Sequence, residues 1–309
     1  MTEKRKLEDY IREKVAESGY PLEIEVSNTL ESLGYAVHNT HYFQDPETKE
    51  GRSIDILATP FFESSIKFRE IVPFESLAIE CKKSNNYAWV FFTRPNEYNK
   101  GLSPSNLMSG QCKSSIPNNI NPYGTSMDDW LILELYPNLH YASFERIAIA
   151  YHEVKNKSLD KSNKRSSTGR QEIFEAIIQL TKFVNYRIHG HLGLLNEKKK
   201  VSQELCCLMF PIVVFDGDLF EAKDQLGELV LERKNHVLLK TDYLCPYCRK
   251  IESYGMDIVH KSFVKEFINE INEDIKNLEI IISKHQDSIG IGAQKERDAK
   301  QKGFVFKSR

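Results

Sequence analysis

Two short apolar runs in this chain carry charge where a buried strand has no room for it. Residues 54–58 read Ile-Asp-Ile-Leu-Ala, and residues 77–84 read Leu-Ala-Ile-Glu-Cys-Lys-Lys-Ser. Branched apolar residues in runs this short favour strands. A charged side chain is almost never fully buried unless it is paired or bound to a metal. In a strand, residues i and i+2 share a face. Glu80 and Lys82 therefore project together, and Cys81 turns the other way. If the two runs pair as neighbours, Asp55 joins them. Two carboxylates and an ammonium then meet in one small volume, a set suited to holding a hard divalent cation and activating a water. The plainer alternative is a strand-end ion pair between Lys82 and Asp55 or Glu80.

The elements around these runs can be placed from pattern. Residues 4–18 form a charged helix that stops at Gly19-Tyr20-Pro21. A second helix covers about 22–32, with Val26, Leu30 and Leu33 in a stripe and Gly34 positioned to end it. Glu23 continues that stripe, whereas Glu25 falls on another face. Strands follow at about 35–43, 53–59 and 76–82, with a turn at 45–51 between the first two. Residues 168–188 make the clearest helix, with Ser167 or Thr168 as its cap. Residues 208–215 are wholly apolar, as in a central buried strand, and Asp216-Gly217-Asp218 reads as the turn after it. Further strands are expected at 219–222 and 237–243, and an amphipathic helix from 258 to about 285.

Asp55 and the tripeptide Glu80-Cys81-Lys82, on strands that follow a helix bearing Glu23, resemble the PD-(D/E)xK nuclease superfamily. Ile54 stands where that motif has proline. The layout Glu23…Leu30-Glu-Ser-Leu-Gly34-Tyr35-Ala-Val37 resembles its Mrr-like and Holliday-junction-resolvase-like members. The resemblance implies an α/β, restriction-endonuclease-like core. Its order is αβββαβ, with a central mixed sheet flanked by helices, here with an insertion and a C-terminal helix. It implies a metal-dependent endonuclease, on DNA rather than RNA, serving restriction, phage defence or repair. Asp55, Glu80 and Glu23 would bind Mg²⁺ or Mn²⁺, the main-chain carbonyl of Cys81 would add a ligand, and Lys82 would act on the water or the phosphate. Glu23 also suits a bland role, because an acid in a first turn complements the helix dipole. Gln179, four residues before Phe183, faintly resembles a Gln-xxx-Tyr helix motif of RecB-type nucleases; surface polarity is its plainer reading.

Domain organisation follows from the same order. Residues 1–19 are an N-terminal helix and 20–250 the nuclease-like domain, with the insertion at about 84–165. Residues 251–285 form the C-terminal helix, and 286–309 a polar, flexible tail. The helix packs on the core or pairs with a second copy. Lys83 points away from Lys82, toward the surface or a nucleic-acid backbone. Lys161, Lys164 and Arg165 lie in a basic stretch that is either a solvated loop or a phosphate contact.

Composition narrows the classes further. The 309 residues carry a net charge of −2, so any nucleic-acid surface is local. A non-catalytic nucleic-acid- or partner-binding module on the same fold is the competing expectation, with an accessory protein or second copy supplying DNA contacts. No apolar run reaches the roughly 18–20 residues of a membrane span, and no membrane partner is expected. Six cysteines in a chain this long are no disulfide framework, which points to a reducing cytoplasm. Cys245-Pro-Tyr-Cys248 is a single CxxC. Zinc usually takes four ligands; Cys206-Cys207, His236 and His260 are the candidates to complete the set, but adjacent cysteines are poor joint ligands, and structural zinc is not expected.

Overall fold

The computed structural model describes residues 2–61, 71–114, 132–155, 172–191 and 204–301. The protein is mixed α/β, with one nine-stranded mixed sheet flanked by helices. Helices α1 (Thr2–Glu17) and α2 (Tyr20–Ser32) lead into β1 (Tyr35–Gln44) and β2 (Gly51–Pro60). Gly34, at φ 87°, takes the left-handed conformation that ends α2 and starts β1. β1 and β2 are antiparallel, and β2 is antiparallel to β3 (Ile71–Pro95). After α3 (Ser105–Met108) and β4 (Cys112–Ser114) comes β5 (Arg146–Lys155). Helix α4 (Glu172–Asn185) then delivers the chain to β6 (Glu204–Gln225), which runs parallel to β3. β7 (Glu228–Arg233), β8 (His236–Leu244) and β9 (Ile251–His260) follow, and α5 (Val264–Gln301) comes last.

The sheet has a hydrophobic core on each face. On β6, Cys206, Leu208, Phe210, Ile212 and Val214 enter one core, while Cys207, Met209, Val213 and Phe215 enter the other. That alternation is what a strand covered on both sides requires. The first core holds Leu22, Val26 and Leu30 of α2 and Phe267, Ile271, Ile275 and Leu278 of α5. The second holds Ile173, Ala176, Ile177, Leu180 and Phe183 of α4. α5 therefore packs on the core, the simpler of its two expected roles. No helix among the described residues is long and apolar enough to cross a membrane.

Several boundaries differ from expectation. The strand expected at 76–82 runs on to Pro95 as one 25-residue strand, β3. It slips register against β6 between Lys83 and Ala88, so the polar Ser84-Asn85-Asn86 stretch is an irregularity inside the strand and not its end. The sheet thus includes parts of the stretch assigned to an insertion: residues 87–95 of β3 pair with β5.

Asp216-Gly217-Asp218 is not a turn, because β6 runs through it. A Cβ on Gly217 would come within 2.4 Å of the Phe215 ring and 2.8 Å of the Ser84 carbonyl, so the glycine serves close approach rather than chain reversal. Residues 251–260 are strand β9, and the last helix begins only at Val264. The apolar run containing Ile258 and Val259 is strand, because it lies between β6 and β8 in the sheet. The helix in turn continues to Gln301, through most of the expected tail. The basic stretch with Lys161, Lys164 and Arg165, and the caps Ser167 and Thr168, lie outside the described residues.

Candidate functional site

The pairing of β2 with β3 sets the geometry. Ile56 faces Ile79 across the ladder, so Asp55 and Glu80 sit one step beyond that pair. The Cys81 backbone N–H donates to Asp55 Oδ2 at 2.8 Å and fixes the carboxylate at the strand junction. The Cys81 side chain turns into the core shared with α2 and α5. Glu80 and Lys82 take the other face, toward α4, and Lys82 Nζ donates to Glu80 Oε2 at 2.6 Å. The alternation expected from the sequence therefore holds at all three positions. The ion pair weighed as the plainer reading is also present.

Asp55, Glu80 and Lys82 line one cavity of about 550 Å³, with Arg52 and Ser53 of β2 and Phe174, Glu175, Ile178 and Gln179 of α4. Its wall is the joint between the sheet and α4, and three contacts hold that joint. Ile173 N–H donates to Glu153 of β5 at 2.7 Å, which anchors the helix start. The Gln179 side-chain amide donates to the Ser53 carbonyl. Lys182 Nζ donates to Asp45 Oδ2 at 2.9 Å. Asp45, fully buried, also accepts from Arg52 and from the N–H groups of Glu47 and Thr48, so it organises the β1–β2 turn as well as the helix contact.

Burial pushes the Glu80 carboxyl up to about 7; Lys82 opposes the shift and Asp55 adds to it. Glu23 is half-buried on the first turn of α2, while Glu25 is exposed. The Glu23 carboxyl is raised by burial and then by Asp55, and lowered by Lys82, which places it within reach of both charges. Burial works against the Lys82 charge, but Glu80 and Asp55 hold its pKa above the usual lysine value, so it stays an ammonium. Asp55 and Glu80 thus both act on the Lys82 ammonium. Lys83 is turned away: its Nζ donates to the Ala16 carbonyl at 2.6 Å and lies 4.0 Å from Asp216.

Asp55 and Glu80, which share the cavity, offer only oxygen, the ligand type Mg²⁺ and Mn²⁺ prefer. Glu23 is not among the residues that line it, and the one group of His, Cys, Asp or Glu close enough to hold an ion among the described residues lies elsewhere. Arg52 and Glu175 also line this cavity and are not apparent from pattern alone. Gln179 is a correction of emphasis. It is half-buried and bonded to β2 rather than merely a surface amide, and its spacing ahead of Phe183 was the only signal for it.

A second group of chemically active side chains lies at the far end of α4. Cys245 and Cys248, in the β8–β9 turn, approach His189 and Glu252. None of the partners considered from sequence belongs to this group. Comparison of the chain with protein-family models, with curated proteins and with solved structures finds no match.

Proposed function

We propose that this chain is a metal-dependent phosphodiesterase acting as an endonuclease on nucleic acid, DNA in preference to RNA. The observation that carries the proposal is the convergence of Asp55, Glu80 and Lys82, from two adjacent antiparallel strands, on one polar cavity. With α3, β4 and β5 set aside, the remaining order supports a restriction-endonuclease-like core: a helix, three antiparallel strands, a covering helix, then a strand parallel to the third. Glu23, Asp55 and Glu80 would hold Mg²⁺ or Mn²⁺, with the Cys81 carbonyl as a further ligand. When bound, the ion supplies Lewis acidity toward a phosphate oxygen and makes a water a stronger nucleophile. The chain's own contribution is placement and charge. Asp55 is oriented by the Cys81 N–H. Lys82 keeps its proton and offers a positive charge to the phosphate as negative charge builds. Arg52 and Gln179 shape the cavity wall where a nucleic-acid backbone would enter.

The test is incubation of the wild type and Lys82→Ala with plasmid, linear and single-stranded DNA and with RNA, in Mg²⁺, Mn²⁺ or EDTA. Cleavage by the wild type is expected only with the cation, and loss of Lys82 should cost about 10²–10³-fold in rate. Cleavage that survives both EDTA and the substitution would sink the assignment.

A second reading has its own observation. Lys82 is satisfied by Glu80, and Asp55 by the Cys81 N–H, without any ligand. This arrangement suits a non-catalytic nucleic-acid- or partner-binding module on the same fold. Pure wild type that binds DNA in a gel-shift assay but cuts none of the substrates selects this reading.

A further inference from the structure

The second cluster is independent of the cavity and of the nuclease proposal. Cys245 and Cys248 occupy the turn between β8 and β9, whose ladder ends at the pair Leu244 and Ile251. The turn is closed by two backbone bonds, from Cys245 N to the Lys250 carbonyl and from Arg249 N to the Cys245 carbonyl, each 2.9 Å. Arg249 takes a positive φ of 55° to complete it. This tight reversal aims both sulfurs to one side, and the Cys248 N–H donates to Cys245 Sγ at 3.2 Å. Glu252, the second residue of β9, adds its carboxylate. His189 arrives from the π-helical segment Tyr186–His191 that extends α4, nearly 60 residues before the turn in sequence.

The distances fit one ion. His189 Nε2 is 3.5 Å from Cys245 Sγ and 3.2 Å from Glu252 Oε2, and Cys248 Sγ is 3.5 Å from Glu252 Oε1. All four ligand atoms lie within 4.8 Å of one another. Zn–S and Zn–N bonds of about 2.3 and 2.1 Å imply tetrahedral edges of about 3.4–3.8 Å, so ligation asks for small side-chain movements only. The outer contacts are of the orienting kind that metal sites use. Asn185 Nδ2 and Tyr254 OH each donate to Glu252 Oε2 at 3.3 Å, and the Tyr247 ring stacks on His189 at 5.5 Å. Lys113 pairs with Glu252 Oε1 at 3.1 Å, which balances the negative charge of the ligand set.

We infer that His189, Cys245, Cys248 and Glu252 form a zinc site that fastens the end of α4 to the β8–β9 hairpin. Two thiolates and an imidazole select zinc over magnesium or calcium, and four protein ligands leave no open position, so the site is structural. Each thiol and the imidazole release any proton on the ligating atom to solvent as zinc binds. The alternative chemistry for a CxxC, a redox disulfide, would oxidise Cys245 and Cys248 and leave His189 and Glu252 without a role.

The test is metal analysis by plasma mass spectrometry on untagged protein purified under reducing conditions without chelator. About one zinc per chain is expected, lost in Cys245→Ser, Cys248→Ser and His189→Ala and retained in Asp55→Ala. Should the variants fail to fold, Co²⁺ titration of zinc-stripped wild type supplies a separate readout: a thiolate-to-cobalt charge-transfer band, abolished by zinc. Folded wild type with neither zinc nor a cobalt band overturns the site. So does zinc retained by the Cys245→Ser/Cys248→Ser double variant, or a Cys245–Cys248 disulfide in the freshly purified protein.

Discussion

Two groups of ionisable side chains sit on the same sheet, one sealed inside the core and one facing a cavity. In the cavity, Asp55 and Glu80 share Lys82, with Glu23 of α2 near enough to feel the Asp55 and Lys82 charges, and burial together with Asp55 raises the carboxyls of Glu23 and Glu80. At the other group, His140 lies between Asp257 of β9 and Asp274 of α5. Its Nε2 is 3.0 Å from Asp257 Oδ1, its Nδ1 contacts Asp274 Oδ2, and its backbone N–H donates to Asp274 Oδ1 at 2.9 Å. His236 reaches the same Asp257 oxygen at 2.9 Å. Burial opposes a charge on His140, but the two carboxylates hold its imidazolium up to about 10. One group is sealed, with an imidazolium between two carboxylates, so it explains itself as a tie between helix and sheet. The other opens to a cavity lined by Asp55, Glu80 and Glu175 and by Arg52 and Lys82. Perturbed carboxyls beside space for a ligand mark function better than burial of charge alone does.

The comparison predicts opposite consequences for removing a charge. Glu80→Gln relieves repulsion at a buried site, so it should leave stability within about 1 kcal/mol of wild type or raise it, while cation-dependent cleavage falls about 10²–10³-fold. His140→Ala strands two buried carboxylates and should cost about 3–5 kcal/mol. Denaturant titration of both variants, with cleavage assayed in parallel, decides the matter. A Glu80→Gln chain as destabilised as His140→Ala would make the cavity merely another structural tie. The pH dependence sharpens the same contrast. The folded pKa of His140 is raised above its ordinary value of 6.5, so its contribution is complete below about pH 6.5 and is lost as pH rises through about 10. The stability gap between wild type and His140→Ala should therefore narrow from pH 6.5 to 10.

The two regions also differ in how much of them can be read from sequence. Asp55, Glu80 and Lys82 sit within 28 positions of one another on strands whose pattern is local, so alternation alone predicts their shared face. Glu23 follows from helical spacing in the same way. The His140 group draws on residues 134 positions apart, and no local period links them. The CxxC is visible, yet its partner His189 comes from a distant helix end, and Glu252 lies in β9, a segment whose pattern reads as the start of the C-terminal helix. The boundary differences in β3 and β6 have one physical origin. β3 and β6 are long strands that carry polar residues at an irregular register, and polar residues inside a strand look like the turn that would end it.

A smaller effect separates perturbed charge from function. Glu75 of β3 is buried, its Oε1 has no hydrogen-bond partner, and burial followed by the nearby Glu279 of α5 raises its carboxyl to about 8. Among the described residues, no cation lowers its pKa as Lys82 lowers that of Glu80. A raised acid binds its proton more tightly in the folded state, so stability should decline as pH rises from about 4.5 to 8. Glu75→Gln removes that decline and should stabilise the protein at pH 8 by about 1–3 kcal/mol. Thermal unfolding at pH 5 and pH 8 reads the effect. A destabilised Glu75→Gln would mean that this carboxylate, too, is held for a ligand.

The smallest expected effect tests whether α4 belongs to the cavity or only roofs it. Gln179 donates to the Ser53 carbonyl, two residues before Asp55, and its side chain lines the cavity. Removing one neutral hydrogen bond costs about 1 kcal/mol, so Gln179→Ala should slow cleavage by roughly tenfold or less through looser placement of β2. If Gln179 only holds the helix against the strand, the loss should appear in stability, and Gln179→Glu, which cannot donate when ionised, should behave like the alanine variant. If Gln179 touches nucleic acid, Gln179→Glu should be markedly worse than Gln179→Ala, because it adds a fourth carboxyl to a cavity that already repels phosphate. Comparing the KM of the two variants on one DNA substrate distinguishes these roles.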